Sequence, residues 1–301
     1  MPVPLDAAKL SLEDLRRALE AEGYICDGEL VTTLYLAIKL GKPLLITGAP
    51  GVGKTEVAKV LSRVFATELV RLQCYEGLDE AKALYEWNYQ RQLLRIQLAR
   101  ETAAGLDEQD LFTPAYLLER PLLKAIRAEK KVVLLVDEVD KTDEEFEAFL
   151  FEVLSDFQVS IPELGTVTAR SIPIVVLTSN AQRELSDGLK RRCLFLYIDY
   201  PSLEKETRIL QVKVPGIGER LARQVAAAVQ YLRAELALKK KPAIAETIDW
   251  AQALLLLGEG RLTPELIDQT LNVLLKERED QELFRGTVGS AQLCRRALQA
   301  G

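Results

Sequence analysis

The chain is 301 residues long, room for one large or two moderate domains, and 48% of it is hydrophobic against 28% charged, enough to bury a core. It contains no histidine, which excludes Ser-His-Asp and Cys-His nucleophile pairs, histidine metal sites and a histidine pH switch. Its net charge is −6 from 39 Lys and Arg against 45 Asp and Glu; residues 201–301 hold 15 and 13 of these, leaving 24 and 32 for residues 1–200, an acidic balance that argues against a surface built for nucleic acid.

The first ten residues, MPVPLDAAKL, lack the basic-then-apolar pattern of a signal peptide. No apolar run nears the roughly 18 residues that span a bilayer, so a cytoplasmic protein with no membrane span is expected. Cys26, Cys74, Cys193 and Cys294 are far apart in sequence, which argues for reduced thiols rather than a zinc or redox motif. Ser11 is a candidate cap for a short helix with Leu12, Leu15 and Leu19 on one face, ending at Gly23. A second helix is expected from about Glu29 to Leu40, stopped by Gly41. Apolar runs at 43–47, 68–73, 131–137, 172–180 and 194–199 are too short for helices, and helical stretches separate most of them. That pattern predicts an α/β fold with a mostly parallel five-stranded sheet covered on both faces. Residues 157–172, with Pro162 and Gly165, read as a loop carrying a hairpin. After Pro201 the strand signal stops, and residues 202–299 read as helices broken at Pro215-Gly216, Lys239 to Pro242, Gly258 to Gly260 and Gly286 to Gly289. The expected organisation is an α/β core over 1–200, with N-terminal helices in 1–41, and an all-helical domain over 201–301.

Four motifs carry chemistry. Gly48, Ala49, Pro50, Gly51, Val52, Gly53, Lys54 and Thr55 fit the phosphate-binding pattern G-x-x-x-x-G-K-[ST], between a predicted strand and a predicted helix. In such a loop glycines turn backbone N–H groups inward, the helix N-terminus adds positive potential, Lys54 reaches the β/γ oxygens and Thr55 offers a hydroxyl to Mg2+. Asp137 and Glu138 end a buried apolar strand, where an acid can hold the Mg2+ shell and its neighbour can polarise a water. Asn180 ends a third strand and would emerge on the same sheet edge, although an Asn there also simply starts a turn. Arg191 and Arg192 precede the last strand; a pair of exposed arginines is otherwise a solvated loop.

Together these segments resemble the AAA+ ATPases, in particular the MoxR branch, over essentially the whole chain. The resemblance is carried by ITGAPGVGKT, LQCYEGLDEAKALYEWNYQRQLLR, LVDEVDK, FQVSIPELGTV, LTSN, RELSDGLKRRCLFLYIDYP and KKPAIAETIDWAQAL. The last segments are similar to members associated with maturation of carbon monoxide dehydrogenase and related molybdenum hydroxylases. The resemblance implies ATP and Mg2+ as cofactors, a nucleotide-binding set Gly48 to Thr55 with Glu56 following, Mg2+ ligands Thr55 and Asp137, and catalytic roles for Lys54, Glu138, sensor Asn180 and arginine finger Arg192, with Arg191 a second candidate. It also implies a homo-oligomeric, hexameric ring, a helical lid, a von Willebrand factor A domain partner and a metalloenzyme client. The alternatives are an AAA+ motor on nucleic acid or in a nuclease complex, and a small-molecule P-loop kinase. One departure is visible: many members carry a sensor arginine after the proline at the start of a lid helix, and here Pro242 is followed by Ala243. Lys239, Lys240 or Lys241 either substitutes or forms a solvated loop. Trp87 and Tyr89 fall near the substrate loops of related rings, although such aromatics are more often core. Cys193, beside two arginines, is either an activated thiol or a small apolar residue.

Overall fold

The computed structural model describes residues 5–101, 108–258 and 260–300. Residues 1–4 of the N-terminal segment, Glu259 within the expected break at 258–260, and Gly301 lie outside the described residues. The chain forms two compact units: Met1–Ala18, Asp27–Thr47 and Thr55–Tyr197 make the first, and Leu19–Cys26, Gly48–Lys54 and Ile198–Gly301 the second.

In chain order the elements up to residue 197 are α1 (Leu12–Ala21), α2 (Gly28–Leu40), β1 (Leu44–Thr47), α3 (Lys54–Val64), β2 (Leu69–Gln73), α4 (Glu80–Ala83), β3 (Tyr85–Trp87), α5 (Tyr89–Glu101), β4 (Leu117–Glu119), α6 (Pro121–Arg127), β5 (Val133–Asp137), α7 (Glu144–Asp156), β6 (Gln158–Ile161), β7 (Gly165–Thr168), β8 (Ile174–Ser179), α8 (Asp187–Arg192) and β9 (Leu194–Tyr197). Five strands form one sheet in the order β2-β5-β8-β1-β9, and the ladders between them are parallel. This is the α/β architecture expected from the apolar runs. Every residue of β5 and of β8 is buried, which is why both read as continuous apolar runs rather than alternating ones. The strand order sets the carboxyl ends of β5, β8 and β1 side by side, and ligands of open α/β sheets bind at that edge.

The first unit's core runs from Leu45, Leu134, Val136 and Leu177 on the sheet to Leu122 and Ile126 of α6 and Phe146 and Leu150 of α7. The expected hairpin is β6-β7, with Gln158 opposite Thr168. A second two-stranded sheet, β3-β4, pairs Trp87 with Leu117, and its three-residue strands are too short to leave a periodic signal. Trp87 is buried there, with its ring 5.3 Å from Phe112 in an edge-on contact. α1 buries Leu15 and Leu19 but leaves Leu12, in its first turn, 38% exposed, so the expected three-leucine face is two leucines deep.

The rest of the second unit is α9 (Leu203–Lys213), α10 (Glu219–Glu235), α11 (Ile244–Leu256), α12 (Pro264–Leu274), α13 (Arg278–Thr287) and α14 (Gly289–Ala300). Its core is built on α10, where Ala222, Ala226 and Ala228 are fully buried and let neighbouring helices approach, and on Trp250, whose indole N–H donates to Thr270 Oγ1 at 2.7 Å. The Pro215-Gly216 and Lys239 to Pro242 breaks fall between helices as expected. The Gly286 to Gly289 break narrows to Val288: Gly286 lies inside α13, and α14 opens on Gly289 at φ 69°. Leu275 to Glu277 forms a break with no glycine or proline to announce it.

Candidate active site

The loop after β1 is shaped by three glycines at positive φ: Gly48 at 148°, Gly51 at 78° and Gly53 at 97°, backbone states that favour glycine. Gly48 has a second reason, since a Cβ there would run into the carbonyl oxygen of Ile198. A Cβ on Gly51 would lie 2.7 Å from the Ala243 methyl, closer than carbon atoms pack, while at Gly53 nothing lies within 4 Å. Lys54 is buried, and its ammonium turns back to donate to the carbonyls of Gly48 and Ala49, both at 2.7 Å. Ala49 is half-buried, Pro50 exposed and Val52 buried. Glu56, in the first turn of α3, pairs with Arg63 at 3.2 Å, an acid where the helix dipole favours one.

Within the first unit, Asp137 is 3% exposed and both of its carboxylate oxygens are engaged. Oδ1 accepts from the hydroxyls of Thr55 at 3.0 Å and Thr178 at 2.6 Å, and Oδ2 from the Arg71 guanidinium at 2.6 Å. A buried carboxyl needs such partners in place of the water it has lost. Thr178 Oγ1 accepts in turn from the Glu138 N–H at 2.9 Å. Glu138 takes a left-handed backbone, φ 59° and ψ 50°, which for a non-glycine residue persists only where its surroundings fix it. Its Oε1 accepts from the Asn180 amide at 3.2 Å, and its Oε2 from the Gln73 amide at 2.9 Å and the Lys141 ammonium at 2.6 Å. Hydrogen bonding and charge from Glu138 raise the Lys141 pKa. Cys74, buried beside this cluster, has its thiol pushed up to about 12, chiefly by burial and then by Asp137, Asp140 and Glu138.

The first unit thus brings together Thr55, Asp137, Glu138 and Asn180 of the residues singled out in the sequence, and adds Arg71, Gln73, Asp140, Lys141 and Thr178. β2 alternates buried and exposed positions, and Arg71 and Gln73 are the exposed ones, in register with Leu135 and Asp137. Two polar residues two apart in an apolar strand are the signal that finds them.

Arg191 and Arg192 are both exposed and close α8, a short helix capped by Ser186 rather than a loop. The Arg192 guanidinium lies 5.0 Å from the ring centre of Phe151 on α7. Cys193 is pushed up to about 12 by burial, the small apolar role rather than the activated one. Tyr89, on α5, is 61% exposed, whereas Trp87 belongs to the core. In the second unit all three lysines from Lys239 to Lys241 are exposed. The Lys239 ammonium pairs with Glu279 at 3.1 Å, and the N–H groups of Lys239 and Lys240 donate to Asp280, the arrangement of a solvated loop. Arg233, by contrast, is buried and makes two bonds to Glu206 at 2.7 and 2.8 Å and one to the Pro242 carbonyl at 2.7 Å. Among the described residues, no helix is long and apolar enough to cross a membrane.

The chain is similar to a Lon protease of Halothermothrix orenii, 30% identical over 165 residues that cover 50% of this chain and 18% of the relative. It is also similar to the chaperone protein ClpB of Corynebacterium diphtheriae, 26% identical over 195 residues, 59% of this chain and 20% of the relative. The chain spans about a fifth of the length of these relatives. Among solved structures, a mutant of Thermotoga maritima RuvB matches at 16% identity with a TM-score of 0.49, covering 92% of this chain and 75% of that one. The family model described as AAA domain (dynein-related subfamily) matches residues 43–193. That match takes in half of the chain, and the chain belongs to this family of AAA+ ATPase domains.

Proposed function

We propose that the protein is a Mg2+-dependent ATPase of the MoxR branch that works in the cytoplasm as a hexameric homo-oligomeric ring and remodels a partner enzyme, inserting a metal or cofactor into it. The observation that carries the hydrolytic part is the Asp137 carboxylate bonded to the Thr55 and Thr178 hydroxyls, with Glu138 beside it held by the Asn180 amide. Thr55 Oγ1 and Asp137 Oδ1 are hard oxygen donors 3.0 Å apart, the ligand type Mg2+ takes alongside phosphate oxygens. The positive-φ glycines of the 48–54 loop and the start of α3 are the backbone that phosphates select. The residues present therefore fit both groups. Bound Mg2+ neutralises charge on the β- and γ-phosphate oxygens.

In this reading Gly48 to Thr55 and Glu56 line the nucleotide, and Lys54 exchanges its loop carbonyls for phosphate oxygens. Thr55 and Asp137 hold the metal. Glu138 orients the attacking water and takes its proton, and Asn180 keeps Glu138 and a γ-phosphate oxygen in register. Arg192 of a neighbouring copy meets the charge that develops on the phosphoryl group, with Arg191 as the second candidate. The maturation role, the von Willebrand factor A domain partner and the metalloenzyme client rest on the sequence resemblance. The acidic balance of residues 1–200 supports a protein client over nucleic acid. The test is affinity capture with Glu138→Gln and ATP, a variant expected to bind nucleotide without turning it over. Recovery of a von Willebrand factor A domain protein or a metalloenzyme subunit supports the client reading, and recovery of nucleic acid replaces it with the motor alternative. Normal turnover by Glu138→Gln removes the general-base role.

A further inference from the structure

Asp140 is a buried acid that none of the roles above uses. It lies in the 3-10 turn Val139–Lys141 directly after Glu138 and is 4% exposed. Its Oδ1 accepts from the Asn180 N–H at 3.2 Å, and its Oδ2 accepts from the same N–H at 3.1 Å and from the Gln182 N–H at 2.9 Å. A carboxylate is costly to bury unless donors replace its water, and here the donors come from the bend that follows β8. Past the end of that strand those two N–H groups have left the sheet ladder and need an acceptor. Ala181, between them, has a positive φ of 56°, a conformation that its surroundings must hold in place.

The residue fixed in this way is Asn180, whose side-chain amide donates to Glu138 Oε1 at 3.2 Å. The contacts therefore close a loop: from the turn after β5, through the Asp140 carboxylate, to the backbone after β8, and back through the Asn180 amide to Glu138. We propose that Asp140 is a positioning residue for hydrolysis, fixing the Asn180 backbone so that its amide holds Glu138 in place while Asp140 itself touches no nucleotide. The inference rests on the hydrolytic reading above.

The test measures steady-state ATP hydrolysis by the full chain for Asp140→Ala, Asp140→Asn, Asn180→Ala and the double variant Asp140→Ala/Asn180→Ala, beside binding of a fluorescent ATP analogue. Loss of an outer partner of a reacting group typically costs ~10–100-fold in activity. Asp140→Ala is expected to lower kcat by that factor with nucleotide affinity retained, and Asp140→Asn, which keeps one acceptor oxygen, to fall between it and wild type. The double variant is expected to be no slower than Asn180→Ala alone, because residues that act through one another are not additive. A double-variant loss equal to the product of the two single losses overturns the proposal, as does a wild-type rate for Asp140→Ala. If Asp140→Ala does not fold, judged by circular dichroism, the same cycle run with Asp140→Asn decides between these outcomes. Glu138→Gln separates the two levels of inference. Normal turnover there removes the hydrolytic reading and this inference with it, whereas an inactive Glu138→Gln beside a fully active Asp140→Ala removes only the positioning role.

Discussion

Asp137 shows how a single side chain ties a helix to the sheet, since its donors come from α3, β2 and β8. Its ion pair with Arg71 is half-sided: Asp137 is buried while the Arg71 side chain is 49% exposed. The pair therefore fixes geometry more than it stabilises the fold, because solvent screens the exposed partner. Cys74 has the opposite character, a buried thiol raised to about 12 by burial and three nearby carboxylates. Its folded pKa lies above the ordinary value of 9.0, so the unfolded chain loses that proton first as the pH rises. Stability from this group is whole below pH 9 and declines between pH 9 and 12, with a slope of up to ~1.4 kcal/mol per pH unit. Urea unfolding between pH 8 and 10.5 is expected to show a steeper decline for wild type than for Cys74→Ala. Equal slopes would mean that the thiol ionises as readily in the folded protein as in the unfolded chain.

Among the elements, the junction between α7 and α8 depends on Glu147, a fully buried acid on α7. Its Oε2 accepts from the N–H of Ser186, the cap of α8, at 2.8 Å, and Arg183 pairs with it from the connecting segment. Removing one partner of a buried pair costs ~3–5 kcal/mol, and the Arg183 side chain is 31% exposed, so it recovers part of that from water. Glu147→Ala is expected to destabilise the protein by ~2–3 kcal/mol, with the orphaned Ser186 N–H contributing; an unchanged denaturation midpoint would show that the pair is dispensable. The elements also mark where sequence reading succeeds. β5 and β8 were legible because strands covered on both faces leave an uninterrupted apolar run, and Gly41, at φ 62°, ends α2 where a left-handed cap requires it. β3 and β4 were not, since three residues carry no period. α8 leaves no helical period in the sequence, because only one of its six residues, Leu189, is buried. At the site, Asp137, Glu138 and Asn180 announced themselves by ending apolar strands. The roles of Arg71 and Asp140 did not, because Arg71 reaches Asp137 through sheet order and Asp140 reaches the backbone after β8, about forty residues along the chain.

At the scale of the whole molecule, the proposed ring leaves a single chain without its complete catalytic set. An arginine finger is typically worth ~10³ to 10⁵ in rate, or ~4–7 kcal/mol of transition-state stabilisation. The contact of Arg192 with Phe151 at 5.0 Å is worth ~0.5–1 kcal/mol at an exposed site, too little to keep the guanidinium from a neighbour's phosphoryl group. Activity per subunit is accordingly expected to rise with protein concentration in wild type, and Arg192→Ala to bind ATP but to hydrolyse it at a low, concentration-independent rate. Equal rates for mutant and wild type would transfer the role to Arg191 or abolish it.

The approach of the Gly51 backbone to the Ala243 methyl ties two positions nearly two hundred residues apart into one. A methyl group added at 51 would claim the space of the methyl already at 243, so position 51 cannot grow unless position 243 yields. For inheritance the two are linked: while Ala243 is present, a side chain arriving at position 51 meets its methyl at 2.7 Å, besides the cost of a non-glycine residue at φ 78°.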